Sequence, residues 1–386
     1  MRAIYEKYAE ELDALKASGN LRILPSGLHE GRWILSGGQR MLNLSSNDYL
    51  GLASDTALMK EFREWLRDTG KQLPLSSSSS RLLTGNFGVF SALEDTLASL
   101  YGREEALVLS SGYHMNAGIL PALCGKDTLI LADKLVHASL IDGIRLSGAR
   151  CIRYRHQDYG QLETLIEKEY SGCDRIIIVT ESIFSMDGDT APLQRLTELK
   201  RRRDKIMLYV DEAHAVGVRG ERGLGLAEET GCIADIDLLC GTFGKALASV
   251  GAFVICDRVI KEYLVNRMRT LIFTTALPPL NMAWTLFVME RLSGFKGQRE
   301  RLQRHSVQFR QALQAKGFGT PSESHIVPLI TGTAAEAVLK AENMRRKGFY
   351  VLPIRPPTVP EGTSRLRFSL TAGLTDSDIE RLCDSI

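Results

Sequence analysis

The sequence predicts an α/β fold: a large domain built on a mostly parallel sheet of seven strands, followed by a smaller C-terminal α+β domain. Three observations lead to this prediction. Short apolar runs recur between residues 106 and 256, helical segments separate most of them, and the pattern changes after residue 285. Continuous apolar strands are typical of a parallel sheet that helices cover on both faces.

The candidate strands of the large domain are short and apolar, and they cover residues 106–109, 128–131, 151–154, 175–180, 206–210, 238–240 and 252–256. Helices are predicted between most of them, for example over residues 159–170 and 193–203. Ligands bind such sheets beyond the carboxyl ends of the strands. Polar residues that follow a strand are therefore the first candidates for a functional site.

The N-terminal region is predicted to be an arm ahead of the large domain. Ile4, Tyr8, Leu12 and Leu15 recur at helical spacing, which predicts an amphipathic helix over residues 1–18 that ends at Gly19. Residues 33–35 and 41–44 are expected to form a hairpin across the Gly-containing turn at residues 36–39.

Beyond residue 285 the sequence predicts one long helix over residues 281–316, which ends at Gly317. Strands near residues 326–330, 350–352 and 365–370 alternate with helices over 334–347 and 375–386. We therefore expect three parts: a helix and arm over residues 1–45, a large domain over 46–285 and a small C-terminal domain over 286–386.

The bulk composition indicates a soluble, cytoplasmic protein. Hydrophobic residues make up 44% and charged residues 24%, and a net charge of +2 is too small to indicate a nucleic acid or an acidic membrane as partner. No apolar run reaches the ~18 residues of a membrane span, and the N-terminus lacks the apolar core of a signal peptide. The seven cysteines show no Cys-x-x-Cys spacing, so we expect buried thiols.

Lys245 and Asp211 carry the strongest functional signal. Asp211 directly follows one predicted strand, and Lys245 follows the next across a Gly-containing turn. Most lysines are solvated surface charges, but the small or apolar neighbours of Lys245, such as Ala246, argue against that here. A lysine near a carboxylate suits pyridoxal phosphate (PLP), because the lysine forms a Schiff base and the carboxylate keeps the pyridine nitrogen protonated.

Three further segments could serve the same site, although each has an ordinary structural interpretation. Gly112, between a strand and a helix, could expose backbone N–H groups to a phosphate, but Ser-Gly turns are common. His137 could be a buried core histidine or a flat ring that lies on a cofactor and polarises a carbonyl. His214 could donate to a cofactor oxygen. A metal pair with Asp211 is not expected, because no second pair of ligands is evident.

Arginines cluster near the C-terminus, where Arg355 precedes a proline-rich loop and Arg365 and Arg367 fall in a predicted strand. Alternation along that strand puts Arg365 and Arg367 on the same face. Guanidinium groups can bind a carboxylate in bidentate fashion, although a basic surface edge would give the same pattern.

Together these segments resemble the α-oxoamine synthases, fold-type-I PLP enzymes that join an amino acid to an acyl thioester with loss of carbon dioxide. The resemblance runs from residue 42 to the C-terminus, and its motifs cover residues 42–52, 81–85, 180–188, 211–214 and 241–245. The segments 354–360 and 362–367 are most similar to members that condense L-alanine with a pimeloyl thioester, carried by coenzyme A or a carrier protein. The alternatives are another member, such as a glycine C-acetyltransferase, or a non-catalytic PLP-binding protein.

The resemblance implies a role for each matching residue. Lys245 carries the Schiff base, Asp211 pairs with the pyridine nitrogen, His214 pairs with the phenolic oxygen and His137 stacks on the ring. The remaining cofactor contacts are Gly112, Tyr113, Ser185, Thr242 and Thr275, and Thr275 reaches the phosphate of the partner subunit in a homodimer. The substrate-binding residues are Arg22, His137, Arg355, Thr358 and Arg367.

One segment departs from the family pattern. Many members carry a glycine-rich run before the motif at residues 81–85, where this chain has five serines at residues 76–80. The departure bears on the choice of acyl chain and thioester more than on the chemistry.

Overall fold

The computed structural model describes residues 2–70 and 73–386. The chain forms two compact units. One contains the N-terminal region up to Ser54, Met186–Asp189 and Glu300–Ile386, and the other contains Asp55–Ser185 and Thr190–Arg299. We call these the arginine unit and the lysine unit, after Arg367 and Lys245. The domain boundaries drawn from the sequence remain a prediction.

Within the described residues, the strands are β1 Leu28–Glu30, β2 Trp33–Ser36, β3 Gln39–Asn43, β4 Glu105–Leu109, β5 Thr128–Asp133, β6 Arg150–Tyr154, β7 Arg175–Glu181, β8 Ile206–Asp211, β9 Leu238–Thr242, β10 Ala252–Cys256, β11 Ile326–Gly332, β12 Phe349–Tyr350, β13 Pro353–Ile354 and β14 Ser364–Ser369.

The helices of the same residues are α1 Glu6–Ala17, α2 Thr56–Asp68, α3 Gly88–Tyr101, α4 Gly112–Leu123, α5 Ala138–Ser147, α6 Tyr159–Glu169, α7 Leu193–Arg201, α8 Leu226–Glu229, α9 Arg258–Arg267, α10 Arg269–Ile272, α11 Pro279–Glu290, α12 Lys296–Ala315, α13 Ala334–Arg346 and α14 Asp376–Ser385.

The lysine unit is built on a sheet of seven of these strands in the order β4-β10-β9-β8-β7-β5-β6. The pairs from β9 to β6 are parallel, and β10 runs antiparallel to both of its neighbours. The central strands are buried on both faces, as their apolar sequences require. The predicted mostly parallel seven-stranded sheet is therefore confirmed.

Helices α4 and α5 of the lysine unit pack against each other with very little space between them. A Cβ atom on Gly143 would lie only 2.2 Å from the backbone oxygen of Asn116. A residue with a side chain would force the two helices apart, so Gly143 permits their close approach. This contact brings the first turn of α5 next to the side chain of Asn116.

The arginine unit contains two small sheets, β1-β2-β3-β12 and β11-β14-β13. The predicted hairpin of β2 and β3 is confirmed, and β12 pairs with β3 in parallel. The predicted strand at residues 350–352 was placed too late, since β12 ends at Tyr350 after pairing with Leu42 and Asn43. The N-terminal helix α1 is confirmed, and all its described side chains are at least partly exposed.

The predicted single helix over residues 281–316 was wrong, because α11 ends at Glu290 and α12 begins at Lys296. A 3₁₀ turn over Leu292–Phe295 separates them, and the N–H of Gly294 donates to the oxygen of Arg291 there. Glycine favours such a break because it destabilises a helix interior. Nowhere in residues 2–70 and 73–386 is a helix long and apolar enough to cross a membrane.

Candidate active site

Three neighbouring strands of the lysine unit end in polar residues at one edge of the sheet. β7 ends at Glu181, β8 ends at Asp211, and these two residues are register partners. β9 lies beside β8 and ends at Thr242, three residues before Lys245. Parallel strands bring their carboxyl ends together, so the predicted site residues of this region do lie at a common edge.

Asp211 is only 6% exposed, yet both of its carboxylate oxygens accept hydrogen bonds. Asn116 Nδ2 donates to Oδ2 at 2.8 Å, and the N–H of Ala213 donates to Oδ1 at 2.9 Å. These two donors hold the carboxylate in a fixed orientation. Asp211 is therefore suited to stabilise a cationic ring nitrogen.

Lys245 lies in the turn that follows β9, between the buried side chains of Phe243 and Ala246. Its positive charge lowers the pKa of both His137 and Glu181, which shows that its ammonium group lies near them. The turn is held by hydrogen bonds from the N–H of Phe243 to Gly251 O and from the N–H of Ala248 to Lys245 O. The lysine is thus a partly buried amine within a polar cluster, as its neighbours in sequence indicate.

His137 is the N-cap residue of α5, and its Nδ1 atom accepts a hydrogen bond from the N–H of Ser139 at 3.2 Å. Burial lowers the pKa of His137, the charges of Asp211 and Asp142 oppose that effect, and the charge of Lys245 adds to it. A lowered pKa leaves the ring neutral at pH 7.

Two buried glutamates also lie at this edge: Glu181, which the sequence places at the end of a strand without assigning it a role, and Glu212, which was not predicted as a site residue. Burial, reinforced by the charge of Asp211, holds the pKa of Glu181 well above its usual range, and Glu181 Oε1 accepts from the N–H of His137 at 2.5 Å. Burial likewise raises the pKa of Glu212 to about 7, and its oxygens accept from Ser182 Oγ and from the first N–H groups of α8.

The N-terminus of α4 lies close to Thr242. A Cβ atom on Gly112 would lie 3.9 Å from Thr242 Oγ1, and the helix is capped by Ser111, whose Oγ accepts from the N–H of His114. The N–H groups of Gly112 and Tyr113 belong to the first turn, where the helix has no internal partners for them. Thr242 and this turn together could hold a phosphate.

The other predicted cofactor residues of the lysine unit occupy loops. His214 is 6% exposed in the turn after β8, and Ser185 is 9% exposed in the loop after β7. Tyr113 is 52% exposed, and its hydroxyl donates to Asp142 Oδ2 at 2.7 Å. Thr275 is exposed in the loop between α10 and α11.

Arg367, in the arginine unit, lies in β14 and is 9% exposed. Its Nη1 atom donates to Ser369 Oγ at 2.6 Å and faces Asn47 Oδ1 at 3.4 Å, and its Nη2 atom lies 3.5 Å from the hydroxyl of Tyr49. These contacts fix the guanidinium on a rigid strand. The sequence analysis did not identify Asn47, Tyr49 or Ser369, because their relation to Arg367 depends on the fold.

The remaining predicted substrate residues of the arginine unit form a second group. The exposed Arg22 donates from Nη2 to the hydroxyl of Thr358 at 3.0 Å. Arg355 is half-buried and donates to Gly19 O, and its pKa is lowered by burial and by the charge of Arg22. Arg365 instead makes an ion pair with Asp187. The structure therefore brings Arg22, Arg355 and Thr358 together.

The lysine unit offers the groups that PLP requires. It combines a partly buried amine, a buried carboxylate with oriented donors, a neutral imidazole and the N-terminus of a 12-residue helix within one cluster. The missed residue that links them is Asn116, which is 1% exposed. A polar side chain in the apolar sequence of α4 was the available signal, because a buried amide requires partners.

Comparison with known families and sequences supports this interpretation. The model of the family described as aminotransferase class I and II matches residues 39–386. The chain is 55% identical over 376 residues to a putative 8-amino-7-oxononanoate synthase of Pasteurella multocida, covering 97% of this chain and 96% of the relative. It is also 55% identical over 383 residues to the 8-amino-7-oxononanoate synthase of Haemophilus ducreyi, covering 97% and 98%.

Solved structures show the same relationship. A serine palmitoyltransferase from S. paucimobilis with a bound PLP–myriocin aldimine matches with a TM-score of 0.89 and 29% identity, covering 99% of this chain and 96% of that one. The 8-amino-7-oxononanoate synthase of Francisella tularensis matches with a TM-score of 0.75 and 29% identity, covering 89% and 96%. The chain belongs to the aminotransferase class I and II family and, within it, to the α-oxoamine synthases that include the 8-amino-7-oxononanoate synthases.

Proposed function

We propose that this chain is a PLP-dependent acyltransferase of biotin biosynthesis, which condenses L-alanine with a pimeloyl thioester to give 8-amino-7-oxononanoate, carbon dioxide and the free thiol carrier. The observation that carries the proposal is the cluster of Lys245, His137 and Asp211 at one sheet edge. It occurs in a chain 55% identical to a synthase of this name.

When bound, PLP supplies an aldehyde that forms an imine with an amine and a ring that takes up electron density from the α-carbon. Lys245 would hold it through the imine, and Asp211 would hold its ring nitrogen. The phosphate would be held by the first turn of α4 and by Thr242, and the phenolic oxygen by His214. Ser185 would supply a further hydroxyl.

Lys245 Nζ would have a second role as a base toward the alanine substrate. In its deprotonated form, the amine would be able to take the proton from the α-carbon of alanine. Asp211 would stabilise the positive charge of a bound ring nitrogen, and donors from Asn116 and Ala213 hold its carboxylate in place.

His137 and the arginines would orient the substrates. A neutral His137 can lie flat on the ring and polarise the carbonyl of the incoming thioester. Arg367 would bind the carboxylate of alanine, which later leaves as carbon dioxide. Arg22, Thr358 and Arg355 would contact the acyl substrate, with Arg355 as an alternative carboxylate partner.

We further propose a cytoplasmic homodimer with shared active sites. Apolar side chains around the segment that bears Thr275 are exposed: Leu75 at 80%, Leu83 at 79% and Phe273 at 71%. The serine run is tied to the same segment, since the N–H of Ala276 donates to Ser79 O at 2.9 Å. Exposed apolar clusters of this kind mark protein interfaces, and Thr275 would then reach the phosphate held by the partner subunit.

The dimer has its own test. A Lys245→Ala chain and a Thr275→Ala chain are each purified, mixed under dissociating conditions and allowed to reassociate. Because each mixed dimer carries one site free of both changes, part of the activity returns. A fully active monomer at working concentration would contradict the shared site.

The function is tested by incubating the purified protein with PLP, L-alanine and pimeloyl-CoA, and detecting the product by mass. A parallel reaction with the pimeloyl carrier protein distinguishes the thioester, and a third with glycine and acetyl-CoA tests the related glycine C-acetyltransferase activity. Product from alanine and a pimeloyl thioester alone supports the proposal. Faster product formation from glycine and acetyl-CoA would overturn it.

A further inference from the structure

A chain of hydrogen bonds links Asp211 to His137 through Asn116 and Ser139. Asn116 Nδ2 lies 2.8 Å from Asp211 Oδ2 and 3.0 Å from Ser139 Oγ. Ser139 Oγ lies 2.7 Å from His137 Nδ1. Asn116 and Ser139 are each only 1% exposed, so water competes little for the bonds between Asp211, Asn116 and Ser139, whereas His137 at the other end of the chain is exposed.

The direction of each bond follows from its partners. The hydroxyl of Tyr209 donates to Asn116 Oδ1 at 2.6 Å, while the carboxylate of Asp211 can only accept, so the amide of Asn116 has one orientation. Its Nδ2 group therefore donates to Ser139 Oγ as well. The backbone N–H of Ser139 donates to His137 Nδ1, so Nδ1 is an acceptor and the Ser139 hydroxyl can donate its hydrogen to the same atom.

Two donors thus converge on one atom of the imidazole. The hydroxyl of Ser139 and its backbone N–H, at 3.2 Å, both face His137 Nδ1. A nitrogen that accepts these bonds must keep its lone pair, so the proton of the neutral ring belongs to Nε2.

We propose that Asn116 and Ser139 are positioning residues that hold His137 as its neutral Nε2–H tautomer and link the orientation of its ring to Asp211. It follows that His137 acts as a hydrogen-bond donor through Nε2 and not as a base. The identity of the acceptor, the carbonyl oxygen of the thioester, rests on the proposed function.

The charges around His137 explain why its neutral form needs support from these hydrogen bonds. Asp211 and Asp142 both favour the protonated imidazolium, whereas Lys245 and burial oppose it. Glu181 accepts from the backbone N–H of His137, and burial raises the pKa of its carboxyl group. Protonation at Nδ1 would turn the ring nitrogen into a donor that faces the fixed backbone N–H of Ser139, which disfavours the imidazolium.

The test determines directly which nitrogen of the His137 ring carries the proton. Holoenzyme labelled with ¹⁵N-histidine is examined by long-range ¹H–¹⁵N NMR between pH 6 and 8, and His137 is assigned among the seven histidines by its loss in His137→Asn. The wild type is expected to show an unprotonated Nδ1 and a protonated Nε2 throughout. An Nδ1–H tautomer or an imidazolium at pH 7 would overturn the proposal.

Variants separate positioning from simple structural support. Ser139→Ala removes the hydroxyl donor, so the His137 signals should move toward a tautomer mixture with a higher apparent pKa, and kcat should fall about five- to tenfold. Ser139→Thr keeps the hydroxyl and should restore the wild-type His137 signals and the wild-type kcat. Asn116 does not contact His137, yet Asn116→Ala should shift the same His137 signals. Unchanged His137 signals in both alanine variants would disprove the linkage.

The outcome does not depend on the identity of the substrates. If no condensation product forms while His137 shows the Nε2–H tautomer and the expected variant shifts, the proposed function fails and the positioning role stands. If product forms while the tautomer is unchanged by both alanine variants, the proposed function stands and the positioning role fails.

Discussion

The edge of the lysine unit that we propose binds the cofactor and the residues of the arginine unit that we propose bind substrate are built differently. Asp211, Asn116 and Ser139 are almost completely buried and interlocked by hydrogen bonds. Arg22 and Thr358, by contrast, are exposed and share a single hydrogen bond. The difference suggests that the chemistry common to the family depends on rigid, dry elements, whereas the recognition of the acyl group depends on adaptable surface residues.

Arg367 combines features of both groups. It belongs to the arginine unit but lies in a strand and is 9% exposed, with Ser369, Asn47 and Tyr49 around its guanidinium. A buried, oriented guanidinium binds a carboxylate with defined geometry. Substitutions at the buried edge should therefore reduce activity most. Substitutions at Arg367 should have a smaller effect, and substitutions at the exposed pair of Arg22 and Thr358 the smallest.

The largest effect is expected at Lys245. Lys245→Ala removes the amine proposed to hold the cofactor, so kcat should fall more than about 1,000-fold and borohydride should no longer fix PLP to the protein. Activity assays and mass spectrometry of the reduced protein measure both. Lys126→Ala, at an exposed position of the same unit, is the control that should keep both properties. Covalent PLP in the Lys245→Ala protein would remove Lys245 from its role.

Asp211→Asn should lower kcat on the order of 100-fold, because it removes a preorganised negative charge while keeping the shape of the side chain. PLP occupancy should fall far less, since the phosphate contacts remain. Steady-state kinetics and cofactor titration separate the two quantities. Asp127→Asn, at an exposed position, controls for the loss of a charge elsewhere. A kcat equal to that of the wild type would show that Asp211 has no part in the reaction.

Arg367→Lys should weaken alanine binding by about 2–3 kcal/mol, because an ammonium group cannot form the bidentate pair of a guanidinium. PLP binding should change little. An alanine titration followed by the visible spectrum of the holoenzyme measures the affinity. Arg365→Lys is the matched control on the same strand, since Arg365 pairs with Asp187. If both proteins bind alanine as the wild type does, Arg355 becomes the leading candidate for the carboxylate.

The smallest effect is expected at Thr358. Thr358→Ala removes the acceptor of the Arg22 hydrogen bond, and an exposed bond of this kind should change the KM of the acyl substrate by only about two- to fivefold. The KM of alanine should stay the same. Thr363→Ala, which loses a hydroxyl bonded to Pro360 O, serves as the control. A 100-fold loss would mean that the exposed pair is as essential as the buried edge, and the contrast between the two regions would not hold.

Much of this architecture was predictable from local patterns. The apolar runs predicted the strands of the large sheet, and the polar residues that follow two of them, Asp211 and Lys245, predicted the site, since strand periodicity and strand ends are local properties of a sequence. The single helix over residues 281–316 was wrong for the same reason, because helical periodicity continues through a short 3₁₀ turn such as Leu292–Phe295.

By itself, the sequence determined the α/β class, the order of the motifs and the residue types able to hold PLP. The tertiary structure decided which buried groups meet: Asn116 contacts both Asp211 and Ser139 only because Gly143 lets α5 pack directly on α4. It also decided that Arg367 is buried and Arg22 exposed. The physical reason is that hydrogen-bond partners, burial and the pKa of His137 depend on contacts between residues far apart in the chain, which no local spacing specifies.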